Sequence, residues 1–518
     1  MVGTIYSIIP AILMLVLVLL TRRVLLSLGA GIIVGALFIH DFAIWPSIKE
    51  IWSVFYEIFI SDGSLNVGNL LLLGFLLLLG SMTAFLQASG GSKAFGDWII
   101  QRVKTRRGAQ LSTAALGVMI FIDDYFNSLA VGQIARPMTD RHHISRAKLA
   151  YYIDSTSAPV TVMSPISSWG AYIIGILASL FATHQFYEFQ PLEAFVKMIP
   201  LNLYALAALL LVFLVAYFNV DIGPMKVHER RAVKDKDPVG PNNQNIPGDL
   251  SDMFSPHEHG KVYHLVIPIV VLIVVTISMM VVTGIWETTG EVTIFSIFAN
   301  TNVNLSLFTG GILAVLISFI FHLQQKRPRA KTWRIFVEGF KTMLPAIYIL
   351  LLAWMIGSII GTLKTGEYLA ALVESSNISP AFLPLLFFLI ASLMSLATGT
   401  SWGTFGIMLP IAIETALVSD VNLLLPTLAA VLAGSVFGDH CTPISDTTIL
   451  SSTGAGVNHI DHVMTQLPYA ITAAIAAGLG YTVIGFTEQF ILGVVLTLFL
   501  IILFTVFIKI RMKRTQQS

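Results

Sequence analysis

Residues Ser435–Gly456 read SVFGDHCTPISDTTILSSTGAG. Two carboxylates (Asp439 and Asp446), a histidine and a run of hydroxyls stand here in a 518-residue chain that is 55% hydrophobic and 11% charged, with a mean hydropathy of +0.81. Soluble proteins carry about 25% charged residues, so the surroundings have the composition of a chain built for lipid. Pro443 lacks an amide hydrogen and its ring collides with the preceding turn, so no straight helix runs through the stretch. A carboxylate near the bilayer centre is costly unless it is paired, protonated or bound to a metal ion. The stretch therefore predicts a broken membrane helix whose gap holds chemistry.

Apolar runs of spanning length recur from end to end, which predicts an all-α polytopic membrane protein. Plain spans are expected near 4–20, 24–43, 67–88, 193–218, 263–284, 303–322, 344–363, 468–487 and 489–509. The first run has no basic residue ahead of it, no small-residue cleavage pattern, and Arg22 and Arg23 directly behind it, so it reads as a membrane helix rather than a signal peptide. Cys441 is the only cysteine, which excludes an internal disulfide, and a net charge of +1 gives no reason to expect a nucleic-acid partner. Residues 221–262 are polar, rich in Pro and Asn and without apolar periodicity, as in a solvent-exposed linker. The amphipathic segment 92–108 reads as an interfacial helix, either a brace for a neighbouring hairpin or an anchor.

Four stretches differ from plain spans: 109–135, 147–183, 380–416 and 426–456 are apolar but carry polar residues with Gly or Pro near their middles. They fall in two halves that resemble each other in order. LLLLGSMTAFLQASGG pairs Gly80-Ser81 with the Gly357-Ser358 of AWMIGSIIGTLKTGEY; IWSVFYEIF pairs with TWRIFVEGF; Asp154 and Pro159 pair with Asp439 and Pro443; VKMIPLNLYALAA pairs with HVMTQLPYAITAA. If 109–135 and 380–416 are re-entrant hairpins, all of the 30 Lys and Arg residues except Lys49, Lys197 and Lys364 fall on one side of the membrane, the cytoplasmic side by the positive-inside rule. The two halves then have opposite topology. The expected fold is two inverted-topology repeats, 1–220 and 263–488, with re-entrant helical hairpins and broken transmembrane helices. They are joined by a cytoplasmic linker, 221–262, and followed by a terminal span and basic tail, 489–518. Inverted repeats with discontinuous helices are an architecture of secondary transporters.

The hairpin tips and breaks supply the candidate site. The first tip holds Asp123, Asp124, Asn127 and Ser128, and the second Thr398, Thr400, Ser401 and Thr404. The first break is placed at Asp154, Ser155, Thr156, Ser157 and Pro159, and the second at Asp439, His440, Thr442, Pro443, Ser445, Asp446 and Thr447. These elements carry acids and no Lys or Arg between 109–135, 149–183 and 426–458, so the missing counter-charge is expected to be mobile: H⁺ or a metal cation. Hydroxyls and freed carbonyls are hard oxygen ligands that suit Na⁺ or Li⁺, by extension of the rule for calcium and magnesium. A carboxylate that holds either a proton or Na⁺ exchanges the two by competition.

Each residue also has a plainer role to weigh. Asp154 and Asp439 fit the pattern of N-caps of half-helices. Of Asp123 and Asp124, one is expected to line the site and the other to bond backbone. His440 is either a pH gate or a histidine satisfied by a carboxylate. Glu414 is expected to be solvated, and His459, Asp461 and His462 read as a loop end rather than a metal trio. No nucleophile–base pair or metal motif stands in a recognisable setting, so neither an enzyme nor a resident cofactor is expected.

FGDHCTPISDTTILSSTGAG together with DDYFNSL resembles the NhaC-type Na⁺/H⁺ antiporter family, within the wider superfamily of inverted-repeat ion transporters, over roughly residues 5–488. The resemblance implies Na⁺ (or Li⁺) exchange for H⁺ across a bacterial inner membrane, and a scaffold domain, often dimeric, beside a transport domain that carries the hairpins. It maps the family's acidic motif residues onto Asp439 and Asp446, with Asp123, Asp124 and Asp154 as first-half counterparts. Asp154 and Asp439 are expected to hold the transported Na⁺. Some relatives carry organic anions or amino acids coupled to Na⁺ or H⁺, which keeps such a carrier as the alternative.

Overall fold

The structure, a computed structural model, describes all residues except 22, 62, 100, 166, 187, 241–256, 258, 290, 326–330, 375–378 and 518. Arg22, Lys326, Arg327, Arg329 and the middle of the 221–262 segment therefore lie outside the described residues. Among them helix predominates, and the only strands are one short antiparallel pair, Ile60–Ser61 with Ser64–Leu65. Among the described residues nine helices are long and apolar enough to cross a membrane, and two bent pairs raise the number to as many as eleven. Helices dominate because lipid offers no partner for a backbone amide or carbonyl.

Most of the expected plain spans are single helices, among them Val67–Ala88, Tyr263–Glu287, Val303–Leu323 and Phe490–Gln517. Others differ in detail. Residues 193–218 form two helices, Pro191–Leu201 and Leu203–Phe218, bent by 49° at Asn202. The matching segment of the second half stays inside one helix, His459–Thr487, despite Pro468. Ile51–Phe59 belongs to a separate amphipathic helix, Ile44–Phe59, whereas its counterpart begins the continuous helix Thr332–Thr362. The 92–108 segment is helical only as Gly91–Ile99, and a new helix starts at Arg106.

The first odd stretch is a helix–break–helix, Arg106–Met119 and Asp124–Arg141. Its first arm runs parallel to the next helix, Arg146–Met163. Gln110 accepts from the Tyr152 hydroxyl, and a side chain at Gly117 would collide with Thr156. Arg106–Met119 and Arg146–Met163 start from the same end, so Asp124–Arg141 returns there, and the segment doubles back as a hairpin. Asn127 holds the bend by donating from Nδ2 to the carbonyls of Gly117 and Ile120, both at 2.6 Å. Those carbonyls end a helix and would otherwise be orphaned.

The second hairpin, Leu383–Thr398 and Ser401–Ser419, follows the same logic. Its first arm lies parallel to Leu424–Cys441, with Gly434 against Phe388, Gly438 against Ser392 and Ile444 against Gly399. Gly399 turns the tip at φ +75°, a conformation that L side chains rarely adopt. The two hairpins open at opposite ends of His459–Thr487. Gly485 touches Ala381 at the mouth of the second, while Gly456, just before that helix, touches Arg136 in the returning arm of the first.

The second break falls where Pro443 predicted it, between Leu424–Cys441 and Asp446–Ala455. Thr442 is extended, as a residue before proline prefers, and Ser445 caps the new helix by accepting from the Thr448 amide at 3.3 Å. The first break is not where the sequence suggested. Asp154 to Pro159 lie inside the continuous helix Arg146–Met163, and the chain breaks between Ser164 and Ser167 before turning by 42° into Ser168–Thr183. Ser164, followed by Pro165, is extended, and Ser167 caps the next helix at the Gly170 amide. The tolerated Pro159 is enclosed by protein, which lets a membrane helix keep a proline. The irregular backbone is placed accordingly: the Val421–Cys441 window is 83% buried, against 22% for Phe490–Met512 at the lipid surface.

Candidate ion-binding site

Asp154 faces Asp446–Ala455 and the start of His459–Thr487. Its Oδ1 accepts from Ser451 Oγ at 3.1 Å; its Oδ2 accepts from Thr448 Oγ1 at 3.1 Å and Gln466 Nε2 at 2.6 Å, and meets His462 Nε2 at 3.1 Å. It is fully buried and in mid-helix, so it caps nothing. Ser451 also meets Ser128 of the first hairpin at 3.1 Å, and the backbones of Gly132 and Gly454 come together where any side chain would clash. The acid thus ties the first hairpin, its following helix and the second break into one polar core.

Asp439 is buried in the last turn of Leu424–Cys441 and likewise does not cap a helix start. Its Oδ2 accepts from Thr447 Oγ1 at 2.7 Å, and Thr447 in turn pairs with Ser445 at 2.7 Å. Among the described residues its Oδ1 has no partner, and neither do the Thr442 hydroxyl, His440 Nε2 and Gln466 Oε1. His440 Nδ1 bonds the Tyr204 hydroxyl at 2.9 Å, so its partner is a phenol rather than a carboxylate. Gln466 Nε2 also reaches the His440 carbonyl at 3.1 Å, which links the surroundings of Asp439 to those of Asp154.

One residue before Thr447, Asp446 opens onto a cavity of about 700 Å³ that Asp123, Asp124, Tyr125, Ser168 and Thr400 also line. Asp446 accepts from the Tyr125 hydroxyl, and its other oxygen from the Thr447 amide at 2.9 Å. Asp123 caps Asp124–Arg141 at the Phe126 amide (2.9 Å) and accepts from Ser168 Oγ (2.9 Å). Asp124 accepts from Trp169 Nε1 at 2.9 Å through one oxygen, and the other has no partner among the described residues. The expected division of labour holds in part: Asp123 bonds the backbone and Asp124 keeps a free oxygen, but both line the cavity. Glu287, Asn300, Thr301, Asn302 and Asn304 form its outer wall.

Among the described residues, none of Asp123, Asp124, Asp154, Asp439 and Asp446 meets a Lys or Arg; the one ion pair is His462 with Asp154. Several candidates serve the backbone instead. The hydroxyls of Thr156, Thr398, Ser401 and Thr404 donate to the carbonyls of Tyr152, Met394, Ser435 and Thr400. Ser155 is buried without a bond to the five acids, and Glu414 is exposed as expected.

His459, Asp461 and His462 are not at a loop end. All three are buried in the first turn of His459–Thr487, where His459 spans the Pro443 carbonyl (2.7 Å) and the Ser452 hydroxyl (3.2 Å). No group of three or more His, Cys, Asp or Glu that could hold a metal is found among the described residues. His462, Gln466, Thr448, Ser451, Ser168, Trp169 and Tyr125 were not among the residues singled out as ligands. The spacing of His459, His462 and Gln466, three then four residues apart, puts them on one helix face and was the available signal.

Comparison with known proteins gives the family of the chain. The family model described as the Na⁺/H⁺ antiporter family matches residues 160–486. An uncharacterized protein of Haemophilus influenzae is 47% identical over 495 residues, covering 95% of this chain and 93% of its own. The malate-2H⁺/Na⁺-lactate antiporter of Bacillus subtilis is 33% identical over 195 residues (37% of this chain, 40% of that one). The Na⁺/H⁺ antiporter NhaC of Alkalihalophilus pseudofirmus is 33% identical over 138 residues (24% and 27%). The family match covers more than half of a chain whose spans carry buried acids, and the chain belongs to the NhaC-type Na⁺/H⁺ antiporter family: it is a multi-pass membrane protein and a secondary antiporter, not an enzyme.

Proposed function

We propose that the protein exchanges Na⁺ (or Li⁺) for H⁺ across a bacterial inner membrane, with the linker and C-terminus cytoplasmic. One observation carries the reading: four buried aspartates, Asp123, Asp124, Asp154 and Asp439, and the half-buried Asp446 share a polar core that meets no lysine or arginine among the described residues, and two of them, Asp124 and Asp439, keep an oxygen with no protein partner there. Buried carboxylates in that condition need a mobile positive charge. Asp439 Oδ1, the Thr442 hydroxyl and Gln466 Oε1 supply hard oxygen donors for a small cation. Asp154 already receives four donors, so in this reading it steadies the site and takes a smaller share of the cation than Asp439. The cavity at Asp123, Asp124 and Asp446 serves as the entry, on the side away from the linker. The antiparallel order of the hairpins favours two inverted repeats, 1–220 and 263–488. Competition of Na⁺ and H⁺ for the same carboxylates gives the exchange.

The alternative, antiport of an organic acid, draws on the malate–lactate relative and on the size of the cavity. The carboxylates lining that cavity repel an organic anion, which favours the cation. Purified protein in liposomes, tested with Na⁺, Li⁺ and K⁺ gradients and with labelled malate and lactate, separates the two. The proposal expects Na⁺ or Li⁺ alone to move protons. Proton movement only when an organic acid is present would refute it.

A further inference from the structure

A second cavity, of about 650 Å³, shares no lining residue with the first and lies between the short helix Met225–Lys234 and the basic end of Phe490–Gln517. It contains two acids, but both are engaged from behind. Lys148, with no exposed surface, donates to Asp221 at 2.7 Å and Glu229 at 3.3 Å, and Arg106 pairs with Glu229. Burial pushes the Glu229 carboxyl up, but Lys148, Arg106 and bonds from Ser145 hold it below its ordinary value, so it stays ionised and occupied. Lys226, Arg230 and Lys234 have no such partner. They recur every four residues, on one side of the helix, and all are exposed and make no ion pair among the described residues. Arg511 faces them across the cavity, and Val233, Ile508 and Met512 add apolar wall.

The height of the cavity is fixed by its neighbours. The span Leu203–Phe218 ends beside it, and Lys509 donates to the Phe218 carbonyl at 2.6 Å. The membrane-length window of the terminal helix runs to Met512. The three cations therefore stand at the depth of lipid headgroups, with apolar side chains on the membrane side. Basic pockets at that level bind anionic headgroups.

We infer that this cavity is a binding site for the phosphate of an anionic membrane lipid. Lys226, Arg230 and Lys234 hold the headgroup, and an acyl chain lies along Ile508 and Met512. Because Arg106 starts the first hairpin, a bound lipid would join the base of that hairpin to the terminal helix.

The test is thermal unfolding of the full-length protein in neutral detergent, titrated with phosphatidylglycerol, phosphatidylcholine or inorganic phosphate. Phosphatidylglycerol should raise the midpoint, and the other two should not. In the K226Q/R230Q/K234Q variant the lipid concentration needed should rise by about 100-fold at low salt, from a loss of about fivefold per cation. Salt should weaken the effect on the unmodified protein, which tests the inference even if the variant folds poorly. Equal stabilisation by phosphatidylcholine, or by inorganic phosphate alone, would overturn it, as would a variant that responds like the wild type.

Discussion

Replacing Asp439 by Asn separates the ion site from the fold. The Asn carbonyl can take the Oδ2 position and keep the 2.7 Å bond from Thr447. Its amide then occupies the Oδ1 position, which has no protein partner to lose. The cost to folding should stay within about 1 kcal/mol, the worth of one ordinary hydrogen bond, and removing an unpaired buried charge can offset it. Binding should suffer far more. Removing one member of a buried charge pair costs about 2–5 kcal/mol, which raises the half-saturating Na⁺ concentration by at least about 30-fold. The assay is Na⁺-evoked proton movement, followed with a pH-sensitive dye in liposomes containing D439N or wild-type protein, with the thermal midpoint measured in parallel. A variant as stable as the wild type but with Na⁺ activation lost or greatly weakened is expected. A variant with unchanged Na⁺ dependence refutes the assignment of Asp439, and one that fails to fold refutes the argument that its outer oxygen is free.

Gln466→Leu removes the 2.6 Å donor to Asp154 and should cost about 1.5–3 kcal/mol, read as a lowered thermal midpoint. Gly399→Ala forces a side chain into a φ of +75° with its Cβ 2.7 Å from Ile444 Cγ1; the conformation alone costs about 1–2 kcal/mol, and both midpoint and turnover should fall. Lys148→Met leaves the buried Glu229 and the half-buried Asp221 without their shared cation and should destabilise by about 3–5 kcal/mol, and adding D221N and E229Q should recover most of the loss in unfolding midpoint.

Much of this architecture was legible in the sequence because lipid imposes coarse rules. Apolar length marks the spans, and the sorting of lysines and arginines marks the segments that double back. The second break was legible because Pro443 sits between a helix end and a serine cap. The first break was misplaced because Pro159 looks equally disruptive. What decides between the two prolines is the packing around them: Pro159 is enclosed and its helix persists, while Ser164 yields ahead of Pro165.

The acids themselves could be read from their cost in lipid, but their partners could not. His462 and Gln466 reach Asp154 across 308 and 312 residues of chain, and no local pattern connects positions so far apart. The histidine cluster looked like a loop end because it follows a glycine-rich turn. Only the fold reveals that the turn is buried against the first hairpin.

The most direct test of the central claim, that these carboxylates are balanced by a mobile cation, is proton release on Na⁺ binding. Purified protein in weakly buffered detergent solution, with no membrane and no gradient, is given NaCl or an equal concentration of choline chloride while the pH is recorded. Na⁺ should displace protons into solution, choline should not, and a D124N/D439N variant should release none. A wild-type protein that releases no proton on Na⁺ addition, or a variant that releases as many as the wild type, would contradict the account.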